Sequence, residues 1–172
     1  MPDDVGEKEF LEAYEKYADA IYRHCYFRVY DKDAAQDLTQ ETFIKTYNYL
    51  QEGKEIKNIK SFLYRVAVNL IIDASRKKTA VTLDEVKEKE VSKRLNSIEG
   101  EFIRAFEVKQ IISLLDQLDE KYRQVIVLRY IDELSPKEIA AALGQTTSVI
   151  SMRLNYALKK MKELVIQKHY ES

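Results

Sequence analysis

One cysteine, four glycines, two prolines and no tryptophan stand in a chain of 172 residues. Each scarcity excludes something. A lone Cys25 cannot build an internal disulfide framework, and the two histidines, His24 and His169, lie too far apart in sequence to suggest metal-ligand spacing. There is no glycine-rich phosphate loop and no nucleophile motif, so an enzyme is a weak reading and neither a cofactor nor a substrate is expected. No apolar run approaches the roughly 20 residues that span a bilayer. The opening stretch, MPDDVGEKEF, is acidic and lacks the basic and apolar regions of a signal peptide. The expectation is a cytoplasmic protein whose cysteine is a core thiol.

Charge of one sign is also scarce, but only in places. The net charge is −1. Residues 1–53 carry 6 basic and 12 acidic side chains, whereas residues 54–78 carry 7 basic and 2 acidic. Residues 145–162 carry 4 basic and no acidic side chain. One basic run is often a merely solvated face. Two such runs, each at the end of a helical unit, point to a polyanion.

No segment reads as a strand ladder, so the fold class expected is all-α. Helical spacing predicts a first helix over about Glu7 to Val29, with Phe10, Leu11, Tyr14, Ala18, Ile21, Tyr22, Cys25 and Val29 facing inward. A second covers Lys32 to Gln51, burying Ala35, Leu38, Phe43, Tyr47 and Leu50, and Gly53 ends it. After the polar loop EGKEIKN, a third runs from Ser61 to Lys77 with Phe62, Leu63, Val66, Ala67, Leu70 and Ala74 inward. Residues 79–100 are rich in Lys, Glu and Ser and read as a charged, flexible linker. A second apolar pattern begins near Phe102 and continues through Leu118, followed by a helix from about Glu120 to Ile131. The layout expected is two small helical domains, 1–78 and 101–172, joined by the linker 79–100.

The stretch from Leu134 to Met161, LSPKEIAAALGQTTSVISMRLNYALKKM, carries the strongest local signal. Ser135, Pro136 and Glu138 form an S-x-x-E capping box with proline at the first helical position. Ala140 allows close helix crossing, Gly144 permits a left-handed turn, and Thr146 or Thr147 caps the next helix. This is a helix-turn-helix pattern. On a wheel of about 100° per residue, Ile150, Leu154, Ala157, Leu158 and Met161 face the core. Ser148, Met152, Asn155 and Lys159 face outward, flanked by Ser151 and Tyr156. Short polar groups suit base edges, and the lack of carboxylates suits phosphate. The competing reading is a pair of packed helices with a solvated face.

Three stretches carry a family resemblance. "DLTQETFIKTY" is similar to the polymerase-binding helix of bacterial sigma factors of the extracytoplasmic-function (ECF) group. "FLYRVAVNLIIDASRKK" is similar to that group's promoter-melting helix. "LDEKYRQVIVLRYIDELSPKEIAAALG" resembles its helix-turn-helix domain. The resemblance implies a factor that binds core RNA polymerase through its β′ and β subunits and directs it to promoter DNA. It implies that Asp37, Leu38, Gln40, Glu41 and Phe43 meet the polymerase, with Asp37, Gln40 and Glu41 facing the β′ clamp helices. Asn58, Lys60, Arg65, Asn69, Arg76 and Lys77 would act at the −10 element. There the loop 52–60 would wall a pocket for an unstacked base, Asn69 would read a base edge, and Arg65, Arg76, Lys77 and Lys78 would hold phosphate. Phe62 reads as core more readily than as a base stacker. Ser148, Ser151, Met152, Arg153, Asn155, Tyr156, Lys159 and Lys160 would act at the −35 element. Ser151, Met152, Asn155 and Tyr156 would contact bases there, while Arg153, Lys159 and Lys160 would contact phosphate. The family often carries arginine at the places of Ser151 and Tyr156, which argues against a G-rich −35 element. Asp84, Glu85, Glu88 and Glu90 of the linker would mimic nucleic-acid charge near the polymerase active site, or form a plain tether. A membrane-anchored anti-sigma factor is a further implied partner, and it would hold the protein at the membrane. Two alternatives stay open on the residues alone. One is a stand-alone helix-turn-helix regulator. The other is an interaction-only protein that sequesters polymerase, which would leave the basic runs unexplained.

Overall fold

The computed structural model describes residues 3–29, 31–77, 110 and 113–171. They divide into two units. The first is built from α1 (Asp3–Val29), α2 (Lys32–Gln51) and α3 (Ile59–Lys77), each packed on the other two. The second contains a helical stretch over 113–116, α4 (Glu120–Ile126), a π-helical turn (Val127–Ile131), α5 (Pro136–Leu143) as far as Ala140, and α6 (Thr147–Tyr170), residues 141–144 being grouped with the first. The all-helical expectation holds. The linker and the apolar residues from Phe102 to Phe106 lie outside the described residues, as do Asp84, Glu85, Glu88 and Glu90.

In the first unit, Ile21 and Cys25 of α1, Ala35 of α2 and Leu63 and Ala67 of α3 are fully buried. Cys25 is thus the core thiol expected of it. His24 is buried too, its ring edge-on to Tyr64 at 5.3 Å between centroids. Asp31 caps α2 by accepting from the Ala34 amide at 3.0 Å, which accounts for the short break between α1 and α2. At the other end Gly53 adopts φ +75°, where a side chain would be strained, and its amide closes the helix onto the Leu50 carbonyl.

Some inward assignments fail. Leu11 and Tyr14 are about half exposed and Tyr47 is more than a third exposed. Their places in the core are taken by Ala13, His24 and Tyr26 of α1 and by Thr39, Thr42 and Thr46 of α2. The three threonines can be buried because each hydroxyl donates to the carbonyl four residues back, at 2.7–2.8 Å. On α3, Phe62, Val66 and Ala74 are half-buried, while Ser61, Tyr64, Val68 and Ile71 are buried. Contact with both α1 and α2 widens the buried arc beyond a single stripe.

The helix expected over Glu120 to Ile131 is continuous but changes pitch. The Asp132 amide donates to the Val127 carbonyl, five residues back, at 3.0 Å. Glu133 then takes φ 59°, a left-handed backbone unusual for a residue with a side chain. The Leu134 amide reaches the Leu128 carbonyl at 2.9 Å, and Arg129 donates to the Leu134 carbonyl at 3.2 Å. Those bonds secure the fully buried Leu134 just before α5.

Candidate nucleic-acid interface

The helix-turn-helix is assembled from local bonds. The Ser135 hydroxyl accepts from the Glu138 amide at 3.1 Å, and Pro136 opens α5 as expected. At the far end Gly144 takes φ +64° and the Gln145 amide donates to the Ala140 carbonyl at 2.9 Å, a Schellman closure. Thr146, rather than Thr147, caps α6, accepting from the Val149 amide at 3.2 Å. Ile139, Ala140 and Ala142 of α5 and Ile150, Leu154 and Ala157 of α6 are buried.

The opposite side of α6 is open. Ser148, Asn155, Lys159 and Lys160 are exposed, Met152 is 65% exposed and Tyr156 is 50% exposed. Ser151 and Arg153 are half-buried at the margins. One inward assignment is corrected. Leu158 is 41% exposed and Met161 only half-buried, because Ala157 is the last buried residue of a helix that runs on to Tyr170. Tyr156 also rests on a residue that pattern reading passed over, Tyr122 of α4.

In the first unit, Arg65, Asn69 and Arg76 are exposed along α3 at spacings of four and seven, which places them on one stripe. The acid Asp73 is exposed beside them. Asn69 points to solvent, so it is not the interior amide that the bland alternative required. Lys60 is half-buried. Asn58 has a local duty: its side-chain oxygen accepts from the Ser61 amide at 3.0 Å and so caps α3. The backbone of Lys77 ends α3, while its side chain and all of Lys78 lie outside the described residues.

The loop before α3 has an aromatic shoulder. Phe62 packs on Tyr49 with centroids 4.7 Å apart, and both rings are half-buried. Lys54 places its amino group 5.0 Å from the Tyr49 ring centre and pairs with Glu52. The Glu52 hydrogen bond, and then its charge, hold the Lys54 pKa above the ordinary lysine value, so the group stays cationic. Phe62 is therefore neither wholly core nor a free stacker.

On α2, Asp37, Gln40 and Glu41 are exposed on one face. Leu38 and Phe43, grouped with them by resemblance, are buried at 8% and 3% exposure. They hold the helix to the core and do not present to a partner in this conformation. The residue missed on that face is Ile44, 58% exposed and three positions after Glu41. A helical wheel would have found it, but an isoleucine is read by habit as core.

Among the described residues, no cluster of His, Cys, Asp or Glu is arranged to hold a metal ion, and no helix is long and apolar enough to cross a membrane.

Residues 13–81 match the family description "Sigma-70 region 2", and residues 114–163 match "Sigma-70, region 4". The chain is 31% identical over 163 residues to the ECF RNA polymerase sigma factor SigW of Bacillus subtilis, covering 90% of this chain and 87% of that protein. It is 28% identical over 142 residues to the RNA polymerase sigma factor SigV of the same organism, covering 83% and 82%. Among solved structures, CnrH in complex with the cytosolic domain of CnrY matches with a TM-score of 0.70 at 21% identity, covering 96% of this chain and 93% of that one. The sigma factor RpoE, in complex with the anti-sigma factor NepR from Bartonella quintana, matches with a TM-score of 0.66 at 21% identity, covering 92% and 97%. These last two speak to the fold. Relatives that extend over both units set aside the stand-alone regulator and the interaction-only protein, and sigma factors are not enzymes. The chain belongs to the ECF subfamily of sigma-70 RNA polymerase sigma factors, and it directs promoter-specific transcription initiation with RNA polymerase.

Proposed function

We propose a division of labour among three exposed helix faces. The face of α2 bearing Asp37, Gln40, Glu41 and Ile44 docks on the β′ clamp helices of core polymerase. The α3 stripe of Arg65, Asn69 and Arg76, with the Tyr49–Phe62 shoulder and the loop 52–60, takes up the opened −10 element. The face of α6 bearing Ser148, Met152, Asn155 and Lys159 enters the major groove of the −35 element. One observation carries this reading: each basic stretch of an otherwise acidic chain puts exposed cations on a helix face, Arg65 and Arg76 on α3 in one unit and Lys159 and Lys160 on α6 in the other.

The physics differs from face to face. An exposed isoleucine among carboxylates gives a protein partner an apolar anchor with a charged rim. A cationic stripe beside half-exposed rings suits unstacked bases and a single-stranded backbone. Short polar side chains on a capped helix suit duplex base edges. An anti-sigma factor, membrane-anchored, is the further partner proposed. One structural neighbour, RpoE, is in complex with an anti-sigma factor, and another, CnrH, is in complex with the cytosolic domain of CnrY.

The test is transcription in vitro. Purified protein is added to core polymerase lacking any sigma factor, on a library of genomic promoter fragments, and transcript starts are sequenced. Discrete starts that share two upstream elements are expected. Starts scattered without shared elements would sink the assignment of the two DNA faces. Separately, Ile44→Asp should weaken capture of core polymerase at least tenfold in pull-down titrations while leaving the circular dichroism spectrum unchanged. Undiminished capture would remove α2 from the polymerase contact.

A further inference from the structure

Tyr156 does not stand alone on the outward face of α6. Its ring packs against Tyr122, in the first turn of α4, with centroids 4.4 Å apart and planes 33° from parallel. Tyr122 is half-buried, and the Lys121 amino group lies 5.0 Å from its ring centre. Tyr156 itself remains 50% exposed. One side of its ring is held while another is offered to a partner.

That arrangement has a consequence for recognition. An exposed tyrosine ordinarily hops among staggered χ1 wells, and a partner must select one of them. A tyrosine packed against a second ring has already made the choice, so the ordering cost on binding falls. The charge around it favours an anionic partner. Lys159 and Lys160 border Tyr156 in a shallow depression. Glu163 also lines it and lies 3.9 Å from Lys160, which leaves Lys159 and, beside Tyr122, Lys121 as exposed cations.

Resting on the reading that the outward face of α6 lies in the −35 groove, we propose that Tyr122 is a positioning residue for Tyr156. The −35 preference of this sigma factor then depends on a residue of α4 that touches no base. Tyr122 fixes the rotamer through which Tyr156 meets the promoter.

The experiment uses the full chain bound to core polymerase. Binding is competed against duplexes carrying every single base-pair replacement across the −35 element, and the result is a preference profile. Five variants are compared: Tyr156→Ala, Tyr122→Leu, Tyr122→Phe, Tyr156→Ala with Tyr122→Leu, and Asn155→Ala. The expected result is that Tyr156→Ala flattens the profile at one or two positions by about two- to tenfold, the range of an aromatic pair. Tyr122→Leu should flatten it at the same positions. The double variant should be no worse than Tyr156→Ala alone, and Tyr122→Phe should restore the profile.

A purely structural Tyr122 gives a different pattern. Tyr122→Leu would then weaken all duplexes alike and leave the profile intact, which overturns the inference. Losses that simply add in the double variant overturn it as well. If Tyr156→Ala leaves the profile unchanged while Asn155→Ala alters it, the reading of α6 stands and the inference falls. If neither alters it, both fall. Should circular dichroism show Tyr122→Leu unfolded, Tyr122→Met takes its place, because a flexible thioether fills the site without a ring face.

Discussion

The outward faces of α3 and α6 are both cationic, yet the division of labour proposed above gives them different states of DNA. The α3 stripe sets Arg65 and Arg76 at either side of Asn69, beside a loop and a pair of half-buried rings. The α6 face sets small polar residues between a capped helix start and a pair of lysines, with no acid from Gln145 to Lys162. Rings offer a stacking surface, which only an unpaired base can use. Short side chains on a helix offer hydrogen bonds, which a paired base presents at its groove edge. Charge alone does not tell duplex from single strand. The neighbours of the charge do.

The largest effect expected on this contrast comes from the shoulder. Phe62→Leu keeps an apolar side chain against Tyr49 but removes a ring, and loss of base stacking costs roughly 1–3 kcal/mol. Run-off transcription from a fully paired promoter should fall about tenfold, and binding to an isolated −35 duplex should not change. Equal losses on both would erase the distinction between the faces. The mirror experiment is Asn155→Ala, expected to cost roughly 1–3 kcal/mol at one base pair of the −35 element. Equal loss on specific and random duplex would remove Asn155 from base contact. Lys159→Gln should instead weaken every sequence alike and flatten the salt dependence by about 0.9 for each phosphate left without its cation. An unchanged slope in a salt titration would take Lys159 off the backbone.

Two smaller changes address the scaffold. Ser135→Ala removes the hydroxyl that accepts from the Glu138 amide and should destabilise the second unit by about 1 kcal/mol in urea unfolding. The first unit should be indifferent to it. Glu133→Gly relieves a left-handed backbone at φ 59°. The gain in the folded state is offset by a more flexible unfolded chain, so the net stabilisation expected is only about 0.5 kcal/mol. A loss of stability would mean that the Glu133 side chain makes a contact worth more than the strain.

Much of this was legible in the residues. The bounds of α2 were given by its periodicity and by Gly53, the start of α5 by Ser135 and Pro136, and the turn between α5 and α6 by Gly144 and the threonines. Such signals are local: a cap, a glycine with positive φ, a missing donor. What stayed hidden depends on partners distant in sequence. Thr39, Thr42 and Thr46 look polar, and only their bonds back along the helix let them enter the core. Leu11 and Tyr14 look apolar, but α1 turns them out beside a cluster in which Tyr14 meets Phe43 at 5.0 Å. The same is true of the candidate site. Arg65, Asn69 and Arg76 could be placed by counting along one helix. Tyr49 beside Phe62, and Tyr122 beside Tyr156, join different helices, and no periodicity announces them.

The π-helical turn at Val127–Ile131 bears on which changes of length this chain tolerates. A π-turn holds one residue more than the α-turn it replaces. Loss of a single codon there can be absorbed by straightening into ordinary helix, with Leu134 and the capped start of α5 still in place. The same loss inside α6 swings every later side chain round by about 100° and carries Asn155 and Tyr156 off the outward face. Single-residue deletions should therefore collect at the turn and be purged from the helix that follows it.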